Sequence, residues 1–195
     1  MDNHYLNECW SLYFHDPSDE NWDRTSFQRV VDLTTIEDFW GTNMMLVPRL
    51  HLGMFFVMRE SVFPLWEEKE NRDGGYLSLK ILKAHVPDTW EDLCAKMLSE
   101  TILKPEHQHL WNHVNGISIS PKKTFCIIKI WLKSQEVNNP AMFNIRGPDF
   151  TEILYSSHAA LGEAAAQKAA APPAPGQTHV PPFYRHGQHQ HQQRA

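Results

Sequence analysis

Long apolar runs are missing from this sequence of 195 residues. A helix that crosses a membrane needs about 20 consecutive, mostly apolar residues, and no stretch approaches that length. The N-terminus also lacks the basic-then-apolar pattern of a secretory signal peptide. We therefore expect a protein that neither spans a membrane nor is secreted.

Cysteine is scarce as well. Cys9, Cys94 and Cys126 are the only ones, and no two of them form a C-x-x-C pair. An odd number of unpaired cysteines argues against a disulfide framework. The sequence therefore predicts that the protein is located in a reducing compartment. We expect the cytoplasm, and the nucleus as a second location.

An excess of positive charge is also lacking, since the formal net charge is -5. Proteins that bind nucleic acid mainly by neutralising its phosphates need a basic surface. Any contact with nucleic acid must therefore be small and chemically specific.

Motifs of catalysis are missing. The sequence has no G-x-S-x-G, no H-E-x-x-H and no glycine-rich phosphate loop. Glu67 and Glu68 are adjacent on an extended loop, so their carboxylates are expected to point apart. The C-terminal histidines could bind a metal only adventitiously, because their segment offers no scaffold. We predict neither a catalytic set nor a metal site.

Tryptophan, in contrast, is abundant, with seven residues. Trp22 and Trp66 lie in acidic, polar loops, and Glu67 directly follows the second of them. An indole in such a loop either packs down as an anchor or binds a ligand. The neighbouring carboxylate favours a planar ligand with N–H donors on one edge and a positive charge on its ring.

Periodicity predicts an α+β fold. Strands are expected at residues 5–14, 27–33, 49–59, 76–83, 117–120, 125–132 and 149–157. Capping-box spacing between Thr34 and Glu37, and between Asp88 and Glu91, predicts two helices. We expect the strand at 76–83 to form a long-looped hairpin with the strand at 49–59. One antiparallel sheet with its helices on one face accounts for this order.

The composition changes near residue 161. Residues 161–195 are rich in Ala, Pro, Gln and His and contain few aliphatic side chains. Such a composition cannot offset the entropy cost of ordering a chain. The sequence predicts a domain at 1–160 and a disordered tail at 161–195.

Several short fragments together carry a family resemblance. They are H-Y-L-N-E-C-W (4–10), N-W (21–22), T-I-E-D-F-W (35–40), P-L-W-E-E-K-E-N-R-D-G-G (64–75), T-W-E-D-L (89–93), I-K-I-W (128–131) and Y-S-S-H-A (155–159). In this order and spacing they resemble a divergent member of the eukaryotic translation initiation factor 4E family. The resemblance implies a curved antiparallel sheet with helices on its convex face. Its concave side would bind the 7-methylguanosine cap of mRNA. The protein would not be an enzyme and would use no cofactor.

The resemblance also assigns the base-binding residues. Trp22 and Trp66 would sandwich the methylated guanine, Glu67 would accept hydrogen bonds from its Watson–Crick edge, and Trp131 would lie against the N7-methyl group. The chemistry is consistent, because methylation at N7 gives the ring a positive charge that indole faces attract.

Recognition of the cap phosphates is where the sequence departs most from the family. Lys122 falls where the family has a phosphate-binding arginine, and Lys123 and Lys129 are further candidates. Ile127 occupies a family lysine position, and Tyr76 replaces a supporting arginine.

The resemblance further implies a partner on the helix side of the sheet. His4, Ile36 and Trp40 match positions that receive the helical Y-x-x-x-x-L-hydrophobic motif of the scaffold factor 4G and of repressor proteins, and Tyr5 replaces a proline beside them. The protein itself is expected to be a monomer.

Two substitutions leave a second function open. Glu91 and Ala95 replace leucines on the partner-binding helix, and a carboxylate in an apolar groove is unfavourable. The alternative is an adaptor or translational repressor that keeps the fold but has weak cap affinity. A nucleotide hydrolase built on the Glu67 cleft would need the catalytic set that is missing.

Overall fold

The computed structural model describes residues 3–145, 152–160 and 162. The predicted tail lies outside these residues, apart from Gly162. The seven strands and the two longest helices of the described residues follow the order β1 (Tyr5–His15), β2 (Phe27–Thr35), α1 (Ile36–Leu46), β3 (Met54–Arg59), β4 (Gly75–Leu82), α2 (Val86–Leu98), β5 (Val114–Pro121), β6 (Phe125–Leu132) and β7 (Ile153–Ser157). Between α2 and β5, residues Pro105–His113 form a 3-10 helix. None of the described helices combines the length and the apolar character needed to cross a bilayer.

All seven described strands belong to one sheet, in the order β2-β1-β3-β5-β6-β4-β7. Every neighbouring pair is antiparallel, which confirms the predicted α+β class. The predicted β3–β4 hairpin is wrong, because β4 pairs with β6 and β7 while β3 lies between β1 and β5. Alternation along a strand specifies which face is buried but not which strand is its neighbour. The long loop before Gly75 allows the chain to pass two strands.

Helix α1 starts one residue later than the sequence predicts. Thr35 is the N-cap, and its side chain accepts a hydrogen bond from the N–H of Asp38, whose carboxylate accepts one in return. Asp38 also accepts from the Thr34 hydroxyl. Glu37 is not free to complete the predicted box, since its carboxylate contacts His4.

Helix α2 also differs from the prediction. It begins at Val86 with Pro87 in its first turn, before the predicted start at Asp88. Proline is favoured at this position because its fixed φ suits a helix and its missing N–H costs nothing there.

The main core lies between the sheet and the two helices. It includes Leu77, Leu79 and Ile81 of β4 and Trp90 of α2, all fully buried. Full burial of an aliphatic side chain of this size contributes about 1.5–3 kcal/mol. Because successive side chains of a strand point to opposite faces, the residues between these face the other side of the sheet.

That other face, which we call the open face, carries a smaller apolar cluster. Its buried members are Tyr13, Phe27, Phe56, Met58, Val62 and Trp131, and Trp66 packs against them. The open face is therefore lined with aromatic rings that neither α1 nor α2 covers.

A largely buried cation joins β1 and β3 to the start of β5. The guanidinium carbon of Arg59 lies 4.5 Å from the ring centre of Trp111 and 5.5 Å from that of Trp10. Arg59 also donates to the carbonyls of Val114 and Trp111, at 2.6 and 3.0 Å, and forms an ion pair with Glu8. Burial lowers the pKa of Arg59 to about 10, so it stays charged at neutral pH.

We predict that Thr35→Ala lowers the free energy of unfolding by about 1 kcal/mol, because the first turn of α1 loses its side-chain acceptor. Urea denaturation followed by circular dichroism measures this change. Thr124→Ala, in the exposed turn between β5 and β6, is the control and should change stability by less than about 0.5 kcal/mol. Equal losses in both variants would contradict the assigned cap.

Candidate functional site

A cavity of about 150 Å³ opens on the open face of the sheet. It is smaller than the roughly 300–1,000 Å³ of pockets for drug-sized ligands, so it suits a single ring system. Its lining consists of Trp22, Phe56, Pro64, Leu65, Trp66, Tyr76, Ser118, Ser120, Lys129, Trp131 and His158. The structure therefore brings together four of the predicted site residues, which are Trp22, Trp66, Trp131 and Lys129.

Trp22 is supported from behind by His15. The two rings are parallel to within 11°, with their centres 4.1 Å apart. His15 is fully buried, and its Nε2–H donates to the carbonyl of Asn21 at 2.9 Å. Trp22 remains 50% exposed, since His15 covers one face of the indole and leaves the other for a ligand.

The loop that carries Trp66 is closed by a buried amide. Asn71 donates from Nδ2 to the carbonyls of Phe63 and Leu65, both at 2.8 Å. Its Oδ1 accepts a hydrogen bond from Asn115 Nδ2 at 2.9 Å. Asn71 thus holds the chain on either side of Pro64 and attaches the loop to β5, which fixes the backbone that presents Trp66.

His158 attaches the end of β7 to the same loop. Its Nδ1–H donates to the carbonyl of Asn71 at 2.8 Å, and its backbone N–H donates to Gly74 O at 3.1 Å. The ring lies edge-on to Trp131, with ring centres 5.2 Å apart. Burial lowers the pKa of His158, so the ring is neutral at pH 7 and adds no charge to the cavity.

Gly162 lies against the outer edge of Trp66. A Cβ atom placed on this glycine would be 3.1 Å from Cη2 of the indole. This is closer than ordinary van der Waals contact, so a larger residue at position 162 would require the indole or the backbone to shift by a few tenths of an ångström.

The floor of the cavity combines an aromatic ring with a cation. Trp131 is buried and its Nε1–H donates to Ser118 Oγ at 2.9 Å. Lys129 Nζ lies 3.9 Å from the ring centre of Tyr76. Burial, and to a lesser extent the charge of Lys122, lowers the pKa of Lys129.

Three other predicted site residues are not part of the lining. Glu67 is exposed, and within the described part of the chain it makes no hydrogen bond or ion pair. Lys122 and Lys123 are exposed in the β5–β6 turn, which is closed by a hydrogen bond from the Lys122 N–H to Phe125 O at 2.8 Å. A ligand would have to reach out of the cavity to meet these three side chains.

An apolar groove of about 310 Å³ lies on the helix-covered side of the sheet. We call it the dorsal groove; it is lined by Leu6, Ile36, Phe39, Trp40, Asp92, Ala95, Lys96, Leu98 and Ser99. Trp40 is 42% exposed, so it is only partly a core residue. The predicted partner-binding residues Ile36 and Trp40 therefore share one surface.

His4, Tyr5 and Glu91 do not line the dorsal groove. The Nδ1 atom of His4 lies 2.6 Å from Glu37 Oε1, and Tyr5 is largely exposed. Glu91 was expected to place a carboxylate in the groove, but it accepts a hydrogen bond from Asn43 Nδ2 at 2.9 Å instead. The carboxylate that does line the groove is that of Asp92, which is paired with Lys96 at 2.7 Å.

Sequence reasoning missed three polar residues that build the cavity, namely His15, Asn71 and His158. Asn71 and His158 both lie inside fragments that carry the family resemblance. A polar residue in such a fragment, with no role in ligand binding, is a signal for a structural hydrogen bond. No comparable signal marks His15.

Among the described residues, no three His, Cys, Asp or Glu side chains gather where they could share a metal ion.

We predict that Asn71→Leu lowers the free energy of unfolding by about 2–3 kcal/mol, because three hydrogen bonds are lost and each contributes about 1 kcal/mol. The near-ultraviolet circular dichroism of the tryptophans should also weaken as the Trp66 loop loosens. Asn112→Leu, at an exposed position, is the matched control and should change neither quantity. An unchanged spectrum for Asn71→Leu would contradict the role given to the amide.

Comparison with known proteins agrees with this architecture. The profile of the family described as eukaryotic initiation factor 4E matches residues 5–170. Eukaryotic translation initiation factor 4E of Saccharomyces cerevisiae is 27% identical over 142 residues, which cover 68% of this chain and 63% of the yeast protein. The matched region thus spans less than two thirds of that relative's length.

Two solved structures have the same fold. The complex of C. elegans eIF4E-3 with the 4E-binding protein Mextli gives a TM-score of 0.68 at 16% identity, covering 83% of this chain and 97% of that chain. Ascaris suum eIF4E-3 with the m7G cap gives 0.66 at 16% identity, covering 80% and 92%. Since the profile match takes in most of the sequence and nearly every described residue, the chain belongs to the eukaryotic initiation factor 4E family.

Proposed function

We propose that this protein binds the 7-methylguanosine 5' cap of mRNA on the open face and recruits a scaffold factor to initiate translation in the cytoplasm. The observation that carries the proposal is the single cavity lined by Trp22, Trp66 and Trp131. The similar Ascaris suum protein was solved with the m7G cap, which supports the choice of ligand.

The two loop indoles supply the attraction for a methylated base. Trp22 offers one free face, and Trp66 lines the same cavity. Stacking on an aromatic side chain contributes about 1–3 kcal/mol per base and does not depend strongly on base identity. A positive charge on the ring adds about 0.5–2 kcal/mol of cation–π attraction, which favours 7-methylguanine over guanine.

Glu67 determines which base the cavity selects. Its carboxylate directly follows Trp66 and is not engaged by any described residue, so it is available to a ligand. Guanine offers a ring N–H and an exocyclic amine side by side, a donor pair that adenine lacks. A bidentate contact of this kind discriminates by about 1–3 kcal/mol.

The cap phosphates need cations, which β6 and its turn provide. Lys122 and Lys123 are exposed at the turn. Lys129 lines the cavity, close enough to Lys122 for the charge of Lys122 to contribute to the lowered pKa of Lys129. Tyr76 leaves β4 without the cation expected from the family resemblance. We therefore assign the phosphates to Lys122, Lys123 and Lys129.

The dorsal groove is the proposed site for a protein partner. An apolar groove of this kind accepts the apolar face of an amphipathic helix. Ile36 and Trp40 would contact that helix, with His4 and Tyr5 close by on the same side. The similar C. elegans protein was solved with the 4E-binding protein Mextli. A scaffold factor 4G-like protein or a repressor with the same motif is the proposed partner.

One arrangement of side chains resembles a catalytic set but has another role. Ser134 Oγ lies 2.7 Å from His113 Nδ1, and His113 Nε2 lies 3.9 Å from Glu136 Oε2. The Ser134 hydroxyl also accepts a hydrogen bond from the Glu136 N–H, as the N-cap of a 3-10 turn. We propose no catalysis here or in the Glu67 cleft.

We predict that 7-methyl-GTP quenches tryptophan fluorescence at much lower concentration than GTP does. Trp66→Ala and Glu67→Gln should each raise the Kd for 7-methyl-GTP about tenfold, since each loses an interaction of the order of 1.4 kcal/mol. Glu106→Gln removes an exposed carboxylate on the 3-10 helix and should leave the Kd unchanged.

A wild-type protein that responds equally to both nucleotides, or to neither, would overturn cap binding. That result would support the alternative of an adaptor or repressor with weak cap affinity.

We predict that Trp40→Ala weakens binding of a helical peptide with the Y-x-x-x-x-L-hydrophobic motif about tenfold, because a large aromatic contact is lost from the dorsal groove. Isothermal titration calorimetry with such a peptide measures the change. Met44→Ala, on the same helix but outside the groove, is the control. Neither variant should alter the Kd for 7-methyl-GTP, and an unaffected peptide affinity in Trp40→Ala would rule out this groove.

A further inference from the structure

The two loops that carry Trp22 and Trp66 are joined by an ion pair. Arg24 follows Trp22 by two positions, and Glu68 follows Trp66 by two positions. Arg24 Nη2 lies 2.6 Å from Glu68 Oε1. One loop connects β1 to β2 and the other connects β3 to β4, so this contact spans segments that are distant in sequence.

Both partners are held on ordered backbone. The Glu68 side chain is only 21% exposed, and its carbonyl accepts hydrogen bonds from the N–H groups of Asn71 and Arg72. Arg24 starts a 3-10 turn that is capped by the Asp23 side chain. The Arg24 guanidinium also lies 4.6 Å from the ring centre of Phe63, which restricts its orientation.

We propose that the Arg24–Glu68 pair is a loop clamp, meaning a pair of positioning residues that sets the spacing of the two indoles before a ligand enters. This inference rests on the proposed function of the cavity as the cap site. Ligand affinity is reduced by the fraction of molecules in which the binding-competent arrangement is absent. A contact that keeps the loops together raises the populated fraction, and with it the apparent affinity.

The direction in which Glu68→Gln changes ligand affinity distinguishes the loop clamp from simple electrostatic attraction of the phosphates. If Arg24 only attracted the cap phosphates, Arg24→Gln would weaken binding, whereas Glu68→Gln would strengthen it by removing a negative charge. If the pair positions the indoles, both substitutions weaken binding. The effect would also persist for 7-methylguanosine, which has no phosphates.

The test is fluorescence titration of the full chain with 7-methyl-GTP and with 7-methylguanosine. We expect Arg24→Gln and Glu68→Gln each to raise both Kd values about three- to fivefold, which is the upper part of the range for an exposed ion pair. The double variant should be no weaker than either single variant, because the two residues act through one contact. Arg24→Lys should retain most of the affinity, since it keeps the charge.

The matched control is Arg29→Gln. Arg29 belongs to another exposed ion pair, with Asp32 at 2.6 Å, and does not line the cavity. Its loss should change neither Kd value. The Tm of all these variants should stay within about 2 °C of the wild type, since exposed ion pairs contribute little to overall stability.

Three results would overturn the loop clamp. They are tighter or unchanged binding in Glu68→Gln, an effect of Arg24→Gln that is seen only with the triphosphate, and additive losses in the double variant. If the wild-type protein bound neither ligand, the proposed function itself would fail. If the wild type bound and the Gln variants bound equally well, the loop clamp alone would fail.

Discussion

The open face of the sheet depends on the side-chain amide of Asn71. This buried amide donates to the carbonyls of Phe63 and Leu65 and accepts a hydrogen bond from Asn115. The backbone carbonyl of Asn71 accepts a further hydrogen bond from His158. Three segments that are far apart in sequence therefore share one fixed geometry. Hydrogen bonds inside a protein are strengthened by the low local dielectric, and the same low dielectric makes an unpaired partner costly. The network can thus hold a loop of polar composition as firmly as a packed core would.

The protein places two indoles against a positive charge, once within the fold and once, by our proposal, for a ligand. Arg59 lies against Trp10 and Trp111, with backbone carbonyls accepting from its N–H groups. In the cavity, Trp22 and Trp66 would surround a methylated base while the Glu67 carboxylate accepts from its edge. The same two attractions, cation–π contact and N–H donation to oxygen, serve stability in one place and recognition in the other. The difference is that two loops present the second pair, and we assign its positioning to His15, which stacks on Trp22, and to the loop clamp.

Much of the fold could be predicted from the sequence because alternation marks strands and their buried faces. The neighbours of β4 could not, since period-two alternation is equally satisfied beside β3 or beside β6. The start of α1 was missed by one residue because two threonines and two acidic residues offered equivalent cap spacings. In the site, Trp22 and Trp66 were identifiable because indoles are out of place in acidic loops. Asn71 and His158 act on each other across 87 positions, and no local pattern reports such a contact.

The position of Gly162 affects where the protein can be truncated without changing the cavity. A domain boundary drawn from composition falls at residue 160, yet Gly162 touches Trp66. Truncation at that boundary would remove a neighbour of one wall of the cavity and expose the edge of the indole to water. Emission from Trp66 would then differ between shortened and full-length protein even without ligand. Any label, protease site or fusion partner attached just after β7 would therefore perturb the cavity.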